Sequence, residues 1–210
     1  MPIHLTIQAE IIDILSDTPH QNDIFLVDTN VWIWQTYTNA IASFRNAADK
    51  IRAYTGYLSK ARRRGATLVY SGLILSELAH VIEKTEREIY NQRQRRPISA
   101  KEYRHNLLAE RANVVAEVES AWSQVEGLAV PIDLTVNEEV THAALERFKT
   151  QALDGYDLLI LEAMRRAGAG QVKVITDDMD YAIVPNIQVF TNNGIVIEQA
   201  TKQGRLLKTR

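Results

Sequence analysis

A chain of 210 residues, 46% hydrophobic and 24% charged, is long enough for one α/β domain with a sizeable core, and these proportions favour neither disorder nor a membrane protein. It has no Cys, which removes disulfides, thiol catalysis and thiolate metal sites, and its net charge of −2 argues against a generally basic coat for nucleic acid. Its apolar runs are well short of a bilayer span, and Met1-Pro2-Ile3-His4-Leu5 lacks the basic start and apolar core of a signal peptide, so a cytoplasmic protein with no membrane partner is expected.

From about Gln8 to Leu15 the apolar residues Ile11, Ile12 and Leu15 suggest a short amphipathic helix, followed by turn residues from Ser16 to Asp23. Ile24-Phe25-Leu26-Val27 then has the length and character of a strand buried on both faces. It ends in Asp28, at the strand tip where open α/β sheets collect ligands. After Asn30 a helical pattern runs to about Arg64, through Ile41, Phe44, Ala48, Ile51, Tyr54 and Leu58, and stops at Gly65. Thr67-Leu68-Val69-Tyr70-Ser71 is the second strand, with Gly72 opening another helix. Glu77, in the early turns of that helix, either points to solvent or returns toward the tip that holds Asp28.

Residues from about Glu83 to Gly127 read as a charged helical hairpin broken near Arg93-Gln94-Arg95-Arg96-Pro97, with Leu107, Leu108, Val114, Val118, Ala121, Trp122 and Val125 as the apolar stripe of its second arm. Ala129 to Leu134 is a short strand or extended link, and a helix to about Thr150 is expected to bury Val140, Ala144, Leu145 and Phe148. Asp154 has the position of a helix N-cap, and Asp157 falls in the first turn, where the dipole favours negative charge. Capping alone would account for both. Gly168 and Gly170 end that helix, and Val172-Lys173-Val174-Ile175-Thr176 is a third strand, followed by Asp177, Asp178 and Asp180, more carboxylates than a turn needs. Ile187 to Phe190 reads as a further strand, and Ile195-Val196-Ile197 as an extension or edge of the sheet.

The expected architecture is a three-layer α/β/α sandwich with a central parallel sheet of four to five strands, in a single domain over 1–210. Its core covers about 24–82 and 129–190, with a helical insertion at about 83–127 and an extension at 191–210. Strand ends and helix starts then gather Asp28, Glu77, Asp157 and at least one of Asp178 or Asp180 on one rim. Two like charges about 4 Å apart repel by roughly 4 kcal/mol at an effective dielectric near 20. Against a domain stability of about 5–15 kcal/mol, such a cluster calls for a cation. Oxygen ligands without His or Cys suit Mg²⁺ or Mn²⁺ rather than Zn²⁺, and such a site suits hydrolysis of phosphate esters by an activated water.

Four segments, in order, carry a family resemblance. Val27-Asp28-Thr29-Asn30-Val31 resembles the opening motif of PIN-domain nucleases, Ser76-Glu77-Leu78 the second acidic motif, Asp157 to Ala163 the third, and Ile175-Thr176-Asp177-Asp178-Met179-Asp180-Tyr181 the fourth, with Tyr181 where Phe is usual. The resemblance implies a PIN-like sandwich that cleaves RNA with Mg²⁺ or Mn²⁺, and often a dimer or the toxin of a toxin–antitoxin pair. It implies Asp28, Glu77, Asp157 and Asp178 as catalytic metal ligands, Asp180 as a secondary ligand, and Asn30 and Thr176 as groups that orient them. The helical region at 83–127 exceeds what compact toxin members carry.

Three basic runs read either as solvated helix ends or as guides for a phosphate backbone: Lys60 with Arg62, Arg63 and Arg64; Arg93, Arg95 and Arg96 with Lys101; and Lys202, Arg205, Lys208 and Arg210. RNA binding is assigned to Arg62, Arg63, Arg64, Arg95 and Arg96. Two other functions fit the residues less directly. One is a PIN-like module that binds RNA or protein with little turnover. The other is a phosphatase with Asp28 as nucleophile, whose usual second Asp two residues on is here Asn30.

Overall fold

The apolar runs become the middle of a sheet. In the computed structural model, which describes residues 4–40, 48–132, 135–166 and 171–208, seven strands pair in parallel throughout. They are β1 (Glu10–Asp13), β2 (Ile24–Val27), β3 (Thr67–Ser71), β4 (Val130–Ile132), β5 (Val172–Ile175), β6 (Ile187–Thr191) and β7 (Leu206–Leu207), in the spatial order β4-β3-β2-β5-β6-β1-β7. Phe25, Leu26 and Val27 are buried, as a strand covered on both faces requires. The register sets Leu26 level with Val69 and Val174, and Val27 level with Ile175. Consequently Asp28 and Thr176, one residue further on in each strand, emerge side by side.

Helices cover both faces. On one lie α1 (Thr29–Thr36), α2 (Ala48–Arg63), α3 (Leu73–Gln94), α4 (Ala100–Asn106) and α5 (Leu108–Leu128), which pack on one another; α6 (Glu138–Phe148) and α7 (Gly155–Arg166) form a separate packed pair, with α7 against β5. Phe25 stacks edge-on against Tyr57 of α2 and Phe190 of β6, joining the first layer to the sheet. α8 (Gly194–Lys202) packs on β1 and β7.

Several elements differ from the sequence expectation. The sheet has seven strands rather than four to five because both chain ends join it. The segment expected as a leading helix is β1, whose Ile11 and Ile12 are buried on opposite faces between β6 and β7 while Leu15, needed for a helical stripe, is 66% exposed. Ile195 to Ile197 lie in α8 and not in a strand, because the Asn193 side chain accepts hydrogen bonds from the backbone N–H groups of Ile195 and Val196 and caps a helix there. The helical pattern after Asn30 breaks at Tyr37, whose backbone is extended, and resumes as α2. Ile41, Phe44, Asp133, Leu134, Gly168, Gly170 and Arg210 lie outside the described residues.

α3 runs without interruption through position 83 and ends at Arg95, whose φ of 51° is left-handed; a capping box between Ser99 and Glu102 then starts α4. α5 buries Val114, Ala121 and Val125 and packs against α1 as well as α3, so the hairpin shares a layer with α1; Leu108 of its expected stripe is exposed. On α6 only Val140 and Ala144 are buried. Leu145 and Phe148 are 52% and 59% exposed, because Leu145 sits a third of a turn off that stripe and Phe148 is the helix's last residue.

Candidate functional site

Asp28 is the N-cap of α1, its Oδ1 accepting from the Thr29 N–H at 2.6 Å and its Oδ2 from the Thr176 hydroxyl at 2.5 Å. Thr176 ties the tip together. It also accepts from the Asp178 N–H at 2.8 Å and from the Asn30 side-chain amide at 3.4 Å. In the first turn of α1, Asn30 thus hands a donor to the same hydroxyl that restrains Asp28, while its Oδ1 is buried and has no hydrogen-bond partner among the described residues.

Glu77 points inward: its Oε2 accepts from the Thr29 hydroxyl at 2.6 Å. Asp157 enters from α7, where Asp154 caps the helix by accepting from the N–H groups of Tyr156 and Asp157 at 2.9 and 3.0 Å. Asp157 is 7% exposed, and its Oδ1 accepts from the buried Tyr181 hydroxyl at 2.6 Å. Asp178 receives the Asp180 N–H at 2.9 Å, which folds the loop after β5 over the tip. Asp177 faces the other way, toward Lys50 at 2.6 Å and the Tyr54 hydroxyl at 3.0 Å. The structure therefore brings Asp28, Glu77, Asp157, Asp178 and Asp180 together with Asn30 and Thr176.

Proton affinities follow from this crowding. Burial pushes the Asp28 carboxyl up to about 7, with Glu77 and Asp178 adding to the rise and the Thr176 and Thr29 hydrogen bonds opposing it. Asp157 is pushed up to about 8, first by burial and then by Asp28, with the Tyr181 hydrogen bond opposing. Glu77 and Asp180 are also raised, each chiefly by burial, and Asp154 adds to both. None of Asp28, Glu77, Asp157, Asp178 and Asp180 pairs with a Lys, Arg or His among the described residues.

The donor set consists of hard oxygens, with the orphaned Asn30 Oδ1 at its edge, and suits Mg²⁺ or Mn²⁺ in kind. Among the described residues no group of three or more acidic or His side chains is arranged to hold a metal ion by itself. The site fits an ion bound through one or two carboxylates with waters and substrate oxygens completing its shell, which is how Mg²⁺ is commonly held.

Two residues of the cluster escaped the sequence reading: Asp154 adds charge as well as a cap, and the Tyr181 hydroxyl holds Asp157 where Phe would hold nothing. The basic runs lie elsewhere. Arg62, Arg63 and Arg64 are exposed at the end of α2, beside Gly65 and the Thr67–Asp23 backbone bond, on the rim where β2 and β3 begin. Arg95 and Arg96 follow the far end of α3, 18 residues beyond Glu77, or roughly 27 Å at about 1.5 Å per residue. These five arginines, expected to bind RNA, therefore stand away from the carboxylate tip, because a chain that leaves a strand tip as a helix carries its last turn away from it.

No family model matches the chain, and no curated protein does. Among solved structures it is similar to a chain of VapBC2 from Rickettsia felis bound to a DNA fragment from their promoter, at 17% identity over 80% of this chain and 98% of that one, with a TM-score of 0.44.

Proposed function

We propose that this chain is a PIN-type, Mg²⁺- or Mn²⁺-dependent endoribonuclease that hydrolyses RNA phosphodiesters with water at the carboxylate tip. The observation that carries the reading is the gathering of five carboxylates from four separate segments onto the carboxyl ends of β2 and β5, with no Lys or Arg to neutralise them among the described residues. In this reading Asp28, Glu77, Asp157 and Asp178, with Asp180 as a further member, form the metal site, one or two of them touching the ion and the others acting through its waters. A bound ion of this kind lowers the pKa of its water and offsets charge on the phosphate oxygens.

The chain's own residues do the rest. Thr176 and the α1 N-cap lock Asp28 in one orientation, and the Thr29 hydroxyl does the same for Glu77. Tyr181, kept protonated by its burial and by the carboxylates around it, anchors Asp157 Oδ1. That leaves Asp157 Oδ2 as the oxygen available to the metal or to a water bound on it. Pairing with an antitoxin protein, and a homodimer, belong to the same proposal and rest on the four motifs alone.

A test is cleavage of single-stranded RNA and DNA by wild type and Asp28→Asn in Mg²⁺, Mn²⁺ or EDTA. Cutting of RNA that needs both metal and Asp28 is expected; cutting that persists in Asp28→Asn or in EDTA overturns the proposal. One observation favours a second reading, a PIN-like binding module with little turnover: among the described residues no three acidic or His side chains are arranged to hold one ion. That reading expects RNA or protein binding unaffected by Asp28→Asn and no cleavage by metal-loaded wild type.

A further inference from the structure

On the side of α3 next to Glu77, a cavity of about 410 Å³ opens between α3, α4 and α5. Ser76 and His80, which bracket Glu77 in sequence, line its near end, and Ala79, Val114 and Val118 form an apolar wall. Arg104 and Arg111 also line it, both held by Glu83: Arg104 is bidentate, its Nε at 2.9 Å from Oε2 and its Nη2 on Oε1, and Arg111 Nη1 lies 3.1 Å from Oε2. The pairing fixes the two guanidinium planes and still leaves Arg104 Nη1 and Arg111 Nε and Nη2 without partners among the described residues. Both arginines are nearly half exposed, and Glu119 adds an acceptor at the outer rim.

We propose that this cavity receives one unstacked nucleobase of the substrate strand, beside the phosphodiester held at the carboxylate tip. The inference rests on the nuclease reading of that tip and adds the feature of RNA it recognises. Its volume lies in the range of small-ligand pockets, about 300–1,000 Å³. Proteins that read single-stranded RNA splay bases out, stack them on aromatic rings or guanidinium planes, and bond their edges. An apolar lining, two guanidiniums held on Glu83 with spare donors, and the Glu119 carboxylate in one cavity offer a base those kinds of contact. Position supplies the connection to the tip: Ser76 precedes Glu77 and His80 follows it by one helical turn, so the cavity begins on the turn that carries Glu77.

The test is fluorescence anisotropy of a short labelled single-stranded RNA, in chelator so that nothing is cut, alongside a set of strands with one abasic nucleotide moved along the sequence. Ala79→Leu fills the cavity without removing a charge, and Arg111→Lys keeps the charge on Glu83 but loses the planar fork. Ala79→Leu is expected to weaken binding of the intact strand about tenfold, the scale of one stacked base. An abasic residue at one position should weaken wild type equally, and on that strand Ala79→Leu should change nothing further. Arg111→Lys should lose several-fold on the intact strand only. Unchanged binding by both variants, or the same loss on every strand, overturns the inference, as does failure of folded wild type to bind RNA at all. Cleavage in Mg²⁺ reports separately: if RNA is cut but Ala79→Leu shows no base-dependent loss, the pocket is wrong and the nuclease stands. If the base-dependent loss appears without cleavage, the pocket stands and the nuclease is wrong.

Discussion

Two sets of buried and half-buried carboxylates in this molecule sit in contrasting surroundings. Glu83 and Glu162 are each gripped by two arginines: Arg104 and Arg111 hold Glu83, while Arg147 at 3.0 Å and Arg165 at 2.8 Å hold Glu162, which is 1% exposed. Asp28, Glu77 and Asp157 are held by hydroxyls and backbone N–H groups alone. The proton affinities separate accordingly: the Arg104 hydrogen bond draws Glu83 below the ordinary value of 4.5, whereas burial drives Asp28 and Asp157 well above theirs. Arginines that neutralise carboxylates elsewhere do not do so at the strand tips. A neutral donor restrains a carboxylate's position without cancelling its charge, which is what the proposed metal site requires of these residues.

The sharpest break of this contrast is Asp28→Asn, which should lower metal-dependent cleavage by at least about 10³-fold, some 4 kcal/mol of barrier, with the fold intact. Multiple-turnover assays check the rate and circular dichroism the fold. Next comes an arginine-held carboxylate: Glu162→Gln strands Arg147, which is 23% exposed, and should cost about 3 kcal/mol in urea unfolding with no requirement for metal. The pH dependence of metal-free stability distinguishes the two regions by sign. Asp28 and Asp157 are raised in the folded state, so their contribution is present below the ordinary value of 3.8 and is lost as pH rises through about 7 and 8. Glu83 is lowered, so its contribution is lost only as pH falls below 4.5. The unfolding free energy from denaturant titrations in EDTA should therefore fall between pH 5 and pH 8, and less so in Asp28→Asn. The smallest effect belongs to Tyr181→Phe, which removes one hydrogen bond at about 1 kcal/mol and should slow cleavage several-fold while leaving the fold unchanged.

Strands β2, β3, β5 and β6 were legible because each is a local apolar run, and the acidic residues drew notice because they stand at the ends of such runs or in the early turns of helices. What escaped depended on partners distant in sequence. β1 carries two adjacent isoleucines that suit a helix or a strand equally, and only its insertion between β6 and β7 decides. Ile195 to Ile197 look β-forming until the Asn193 cap is counted. The arginine clusters were visible as charge but not as position, since α3's length sends Arg95 and Arg96 away from the tip while Arg104 and Arg111, unremarkable in sequence, return to Glu83. Tyr181 looked like a minor change from Phe because its hydroxyl acquires meaning only opposite Asp157, 24 residues earlier.

The contrast between the two regions is tested most directly by titrating Mn²⁺ into wild type and Asp28→Asn in a calorimeter at neutral pH. Saturable binding to wild type, absent or greatly weakened in Asp28→Asn and unchanged in Glu162→Gln, is the expected result. Equal heats for wild type and Asp28→Asn would contradict it, and would show that hydroxyl-held carboxylates at this rim are tolerated without a cation.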